Sequence, residues 1–219
     1  MKVDQAIFTS LVRRGGMSGY HLTSRSTGVS DAEAGALTTW SPSHGALIVD
    51  RDNRTSVNFH ALPTGRFALS RTCEGLPEYS GRGGRQLYTH FLIFDHAFLK
   101  ATSFQPFAIY RDALALGYLR YRPAPESILK PVVLSQVYIR DDEEIWRERA
   151  KLWRLPPLDD LRQHVERDVQ VRYAYAGDRI RLAECLMNLM HPEAVPMVSF
   201  STSLQPSTVR PYKFCLVGP

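Results

Sequence analysis

The chain has 219 residues, 44% of them hydrophobic and 22% charged, with a net charge of +5. That length and composition supply a real core and exclude a disordered chain. No apolar run approaches the ~20 residues of a membrane span, and Cys73, Cys185 and Cys215 are too isolated for a disulfide framework or a zinc motif.

In chain order, VDQAIFTSL (3–11) and SGYHLTSR (18–25) read as strands, turned by Gly15-Gly16. The opening MKVDQAIFTSLVRR lacks the apolar stretch and cleavage site of a signal peptide, so the expectation is a cytoplasmic protein. Ser30 and Glu33 have capping-box spacing and predict a short helix ending at Trp40-Ser41-Pro42-Ser43-His44-Gly45. SVNFHAL (56–62) and GRFALSRT (65–72) predict a second hairpin. After a glycine-rich loop, QLYTHFLIF predicts a strand, and Asp95 a cap for the helix HAFLKA.

Residues 104–131 mix helix and connection, and PVVLSQVYI predicts a strand. DDEEIWRERAKLWR is patterned as a helix with acids at its start, a Glu143–Arg147 pair, and a Trp146/Ala150/Trp153 apolar stripe for packing. LDDLRQHVERD follows as a second, less patterned helix. The last segments, VQVRYAYA, RIRLAECLMNLM and VPMVSFST, read strand–helix–strand and predict a parallel pair, with YKFCLV as a final strand. The expected fold is α+β with a mixed sheet: a hairpin-rich antiparallel part (1–122) and a βαβ-containing part (123–219), packed as one unit.

Familiar catalytic signatures are missing: there is no G-x-S-x-G, H-E-x-x-H, C-x-x-C or phosphate-loop motif. The positive charge comes from 22 arginines and 5 lysines spread along the chain, without the basic run of a nucleic-acid-binding arm. SGRGGR admits two readings. Gly81, Gly83 and Gly84 shape a tight loop; alternatively they form an anion nest in which Arg82 and Arg85 fork onto a phosphate or carboxylate. His90 shares its strand face with Tyr88, Leu92 and Phe94, which favours a hydrogen-bonded core histidine over a base. Gly177 and Asp178 read as a turn and an N-cap. Ser201 and Thr202, within a hydroxyl-rich hairpin carrying Arg210, either face solvent or line a polar groove.

Several of these phrases, taken in order, resemble the type 2 N-terminal domain of the GTPase-associated protein of bacterial conflict systems. They are Gln5-Ala6-Ile7-Phe8-Thr9-Ser10, Gly19-Tyr20-His21 with Arg25-Ser26-Thr27-Gly28, Trp40-Ser41-Pro42-Ser43, and Gly81-Arg82-Gly83-Gly84-Arg85 with His90. Ser199-Phe200-Ser201-Thr202-Ser203-Leu204 and Arg210-Pro211-Tyr212 complete the series. Gly83 departs from the family's proline, and family members continue into middle and C-terminal domains.

The resemblance implies a non-enzymatic adaptor or regulator, without a cofactor, that contacts a GTPase or another protein of the system. On that reading Arg82, Arg85 and Arg210 are the outward-facing contact residues. The alternative is a small-ligand or nucleotide sensor, or an enzyme, built from the Gly-Arg loop, His90 and the Ser/Thr-rich hairpin.

Overall fold

A computed structural model of the chain describes residues 2–11, 19–77, 84–123, 127–134, 138–167 and 170–219. One mixed sheet organises it. The strands are β1 (Lys2–Leu11), β2 (Gly19–Arg25), β3 (Thr55–Ala61), β4 (Phe67–Pro77), β5 (Arg85–Phe94), β6 (Val132–Val133), β7 (Val171–Ala174), β8 (Phe200–Ser201) and β9 (Phe214–Val217). Their order is β2-β1-β5-β4-β3-β8-β9-β7, with β6 added to the start of β1. Pairing is antiparallel from β2 through to β8, whereas β8–β9 and β9–β7 are parallel. The α+β reading with a mixed sheet therefore holds.

The helices are α1 (Asp31–Trp40), α2 (His96–Ala101), α3 (Pro106–Ala115), α4 (Glu143–Leu152), α5 (Asp159–Glu166) and α6 (Arg179–Leu189). Local sequence sets their starts. Ser30 Oγ accepts from Glu33 N while the Glu33 carboxylate accepts from Ser30 N, closing the capping box. Asp95 accepts from Phe98 N to start α2, and Asp178 from Ile180 N and Arg181 N to start α6.

Alternation along the strands gives the sheet two apolar faces. On one, Phe59, Leu69, Leu92, Phe94 and Phe200 pack against α2, α3, α4 and α6 through Phe98, Phe107, Trp146 and Leu186. On the other, Ala6, Phe8, Ala68, Phe91 and Ile93 meet Leu37 of α1. Residue parity thus decides which helix layer a strand side chain can touch. The β3–β8 register places Phe59 opposite Phe200, with ring centroids 5.8 Å apart, so both parts of the chain share one core.

Three expectations need correction. VPMVSFST is not a full strand: a 3-10 helix runs over Pro192–Met197, with Pro196 unable to donate to a ladder, leaving only Phe200–Ser201 as β8. β7 and β8 also do not pair with each other. β9 inserts between them, because its run Phe214-Cys215-Leu216-Val217 hydrogen-bonds on both edges. The PVVLSQVYI segment contributes just Val132–Val133 as strand among the described residues. No helix among the described residues is long and apolar enough to cross a membrane.

Candidate functional site

Gly81, Arg82 and Gly83 lie outside the described residues. The end of their loop is visible. Gly84 has φ +100°, and a Cβ there would sit 2.6 Å from His44 Cε1, so glycine allows the Ser41–Gly45 loop to close against it. Arg85 opens β5 with half of its side chain (53%) in solvent, 3.8 Å from the Glu74 carboxylate through Nε. A contact that long and exposed leaves the charge available.

His90 is fully buried in the middle of β5. Its Nε2 lies 2.9 Å from Gln5 Oε1, and the Gln5 amide nitrogen donates to Lys130 O. Because Gln5 Oε1 can only accept, His90 carries its proton on Nε2. Nδ1 has no hydrogen-bond partner among the described residues, and burial pushes the imidazole down to about 3, with the Arg122 charge adding to the effect. The same corner joins two of the family phrases. Ser26 exchanges hydrogen bonds with the Gln5 backbone at 2.9 and 2.8 Å, and a Cβ on Gly28 would fall within 2.5 Å of the Asp4 carboxylate. His90 is the hydrogen-bonded core histidine expected.

Ser201 and Thr202 are buried and occupied by their own chain. Thr202 Oγ1 accepts from Val57 N at 2.9 Å, and Ser201 Oγ lies 3.3 Å from Ser56 Oγ while accepting from Leu204 N. These side-chain bonds take over where the two-residue β8 leaves the ladder. From Ser201 a polar chain crosses the sheet through Ser56, Asn58, Thr72 and Thr89. By register, Ser201 opposes Asn58, Asn58 opposes Ser70 and Ser70 opposes Phe91. The hydroxyls therefore share the Phe91 face, and His90 points to the other one. The groups of a combined histidine–hydroxyl site do not meet.

Arg210 departs from its expected outward position: it is only 9% exposed. A tight turn holds it, Arg210 N donating to Ser207 O and Tyr212 N to Arg210 O. Tyr212 packs with Trp40, Leu47, Leu204 and Cys215. Trp40 also stacks on His60 with centroids 4.3 Å apart and planes 7° from parallel. Sequence reasoning misses His60. Its signal is the Ser56-Asn58-His60 alternation within a strand, which reads as a solvated polar face although all three residues are buried.

The turn into α6 also fills itself. Arg179 is fully buried and pairs with Asp50 at 2.8 Å. It donates to Ser203 Oγ at 3.0 Å, while Asn53 Oδ1 accepts from Arg179 N. Burial alone raises the Asp50 carboxyl, but the Asn53 hydrogen bond and the Arg179 charge outweigh it and hold the group below its ordinary range. The helix N-terminus is thus satisfied by Asp178 and Asn53.

Open grooves lie elsewhere. Two of about 530 and 520 Å³ flank α4, one lined by Leu155, Pro156 and Pro157, the other by Ile145 and Leu152, the latter 79% exposed. Neither contains the candidate binding residues. Among the described residues, no group of three or more His, Cys, Asp or Glu side chains is placed to hold a metal ion.

Comparison with known proteins agrees with the phrases that converge here. No curated protein and no solved structure matches the chain. A family model described as GTPase-associated protein 1, N-terminal domain type 2, matches residues 2–131. That span contains the Gln5–Ser26–His90 corner, Trp40, His60 and the Gly-Arg loop, while Ser201, Thr202 and Arg210 fall beyond it. With more than half of its length matched, the chain belongs to the family of GTPase-associated protein 1 N-terminal domains, type 2.

Proposed function

We propose that this chain is a non-enzymatic adaptor or regulatory module that works through protein–protein contacts with a GTPase in a bacterial conflict system. Family membership carries the reading, since the family is described as GTPase-associated. Two structural observations support it. Arg85 stands half-exposed at the head of β5, with only a long contact to Glu74 among the described residues. Polar groups that the catalytic alternative uses are committed within the fold: His90 to Gln5 and Thr202 to the β3 backbone.

On this reading the arginines meet an acidic patch on the partner, where charge steers encounter and fixes register. The experiment is to search the gene's neighbourhood for a GTPase and to titrate that protein, loaded with GDP and separately with a non-hydrolysable GTP analogue, against wild type and an Arg82→Ala/Arg85→Ala variant. At roughly 0.5–1 kcal/mol per exposed charge contact, losing two contacts weakens binding by about five- to thirtyfold. The deficit shrinks at high salt. Equal affinities at low and physiological salt would remove the arginines from the interface, and absence of wild-type binding would remove the adaptor reading itself.

A further inference from the structure

Two buried polar side chains near Tyr212 carry sealed nitrogens with no hydrogen-bond partner among the described residues: both ring nitrogens of His60 and the Nε of Arg210. His60 is 1% exposed, and neither ring nitrogen makes a hydrogen bond. A neutral imidazole has one N–H to donate and one lone pair to offer, so both are unmet. Arg210 is nine-tenths buried; its Nε is sealed from solvent without an acceptor, and its guanidinium forms no salt bridge with any described residue. Arginine keeps its charge whatever its surroundings.

Their common neighbour is Tyr212. Its ring lies 6.2 Å from that of His60 and 4.8 Å from that of Trp40. Burial raises the Tyr212 hydroxyl and the Cys215 thiol, and the Arg210 charge pulls both back, which places the guanidinium within electrostatic reach of each. The side chains packed around Tyr212 (Trp40, Leu47, His60, Leu204 and Cys215) include no acid that would neutralise it. Elsewhere this chain satisfies its buried arginine, as Arg179 and Asp50 show. A fixed cation, an imidazole with two unmet nitrogens and an aromatic wall thus adjoin, with no counter-charge among the described residues.

We infer that the Arg210–Tyr212 corner binds a small oxyanion-bearing ligand, a carboxylate or a phosphate, received by the forked guanidinium of Arg210. The inference does not depend on the GTPase-docking reading. Wild-type chain is titrated with inorganic phosphate and, separately, with acetate, against chloride at matched ionic strength. Thermal unfolding and the NMR resonance of Arg210 Nε–H are followed together.

One or both oxyanions should raise the melting temperature saturably and shift that resonance, while chloride does neither. A response to phosphate alone identifies a phosphate-bearing ligand, and one to acetate alone a carboxylate. In Arg210→Met the affinity should fall at least about tenfold, the scale of a lost charge-assisted hydrogen bond. The variant should remain as stable as wild type in chloride. An unshifted Arg210 resonance in the wild type, a reading that needs no variant to fold, overturns the inference. So does an anion response that survives in Arg210→Met.

Discussion

Arg179 and Arg210 are both buried arginines in the last part of the chain, and the fold treats them in opposite ways. Arg179 is enclosed by Asp50, Ser203 Oγ and the carbonyls of Tyr175 and Ile48. Arg210 has no such partners among the described residues. The two buried histidines divide similarly: His90 donates to Gln5 and leaves only an acceptor unmet, while neither ring nitrogen of His60 has a hydrogen-bond partner among the described residues. Completed polar groups hold elements together, and an uncompleted one of the same residue type marks where something external belongs. The contrast separates architecture from site.

The largest effect that tests this division is at Arg179. Arg179→Met strands Asp50, the buried Ser203 Oγ and two partly buried carbonyls, and should destabilise by about 3 kcal/mol in urea unfolding. This is the lower end for a broken buried pair, because Asp50 keeps a third of its side chain in water. Arg210→Met should lie within ~0.5 kcal/mol of wild type or be more stable, since it removes an unpaired charge. Equal losses at the two positions would erase the distinction.

Next is Gln5→Ala, which leaves the His90 N–H without an acceptor in a site closed to water. A loss of about 2 kcal/mol is expected, with the near-isosteric Gln5→Glu also destabilising because it buries a charge. His60→Phe runs the other way: it keeps the stack on Trp40, discards two unmet polar atoms, and should be neutral or stabilising.

pH sharpens the histidine half of the comparison. Burial pushes both imidazoles from 6.5 down to about 3, with Arg122 contributing at His90. Between those values the unfolded chain binds the extra protons. Stability is therefore complete above pH ~6.5 and falls with acid, by up to about 1.4 kcal/mol per pH unit for each histidine. Urea midpoints measured from pH 7 to pH 4.5 should show a two-proton slope in wild type and a one-proton slope in His60→Phe. The smallest effect belongs to the surface network, where Arg147 bridges Glu143 and Asp159 at 2.6 and 2.8 Å. Asp159→Ala should cost only ~0.2–1 kcal/mol, and less in high salt.

Local features are legible in the sequence. The capping box at Ser30/Glu33, the caps at Asp95 and Asp178, the Glu143–Arg147 pair and the core placement of His90 each depend on residues a few positions apart, or on strand parity. The antiparallel hairpins follow from alternation with turn residues between. The insertion of β9 between β7 and β8 is not legible, because edge-to-edge choice among short apolar strands is made by distant segments. Residue type and spacing single out Arg210 but place it at the surface, and they carry no hint that His60 is enclosed. Burial of a polar residue depends on what the rest of the chain lays over it.

By itself, then, the sequence determined the elements, their starts, the α+β class and the family phrases, because propensity, capping and periodicity act within a turn or a strand. Tertiary structure alone decided which polar side chains found partners. Satisfaction of a buried hydrogen-bonding group is a contact across tens to more than a hundred residues: Gln5 to Lys130, Arg179 to Asp50, Ser56 to Ser203. Arg179 and Arg210 are the same residue type in similar stretches of chain, and only the folded environment makes one a brace and the other a receptor.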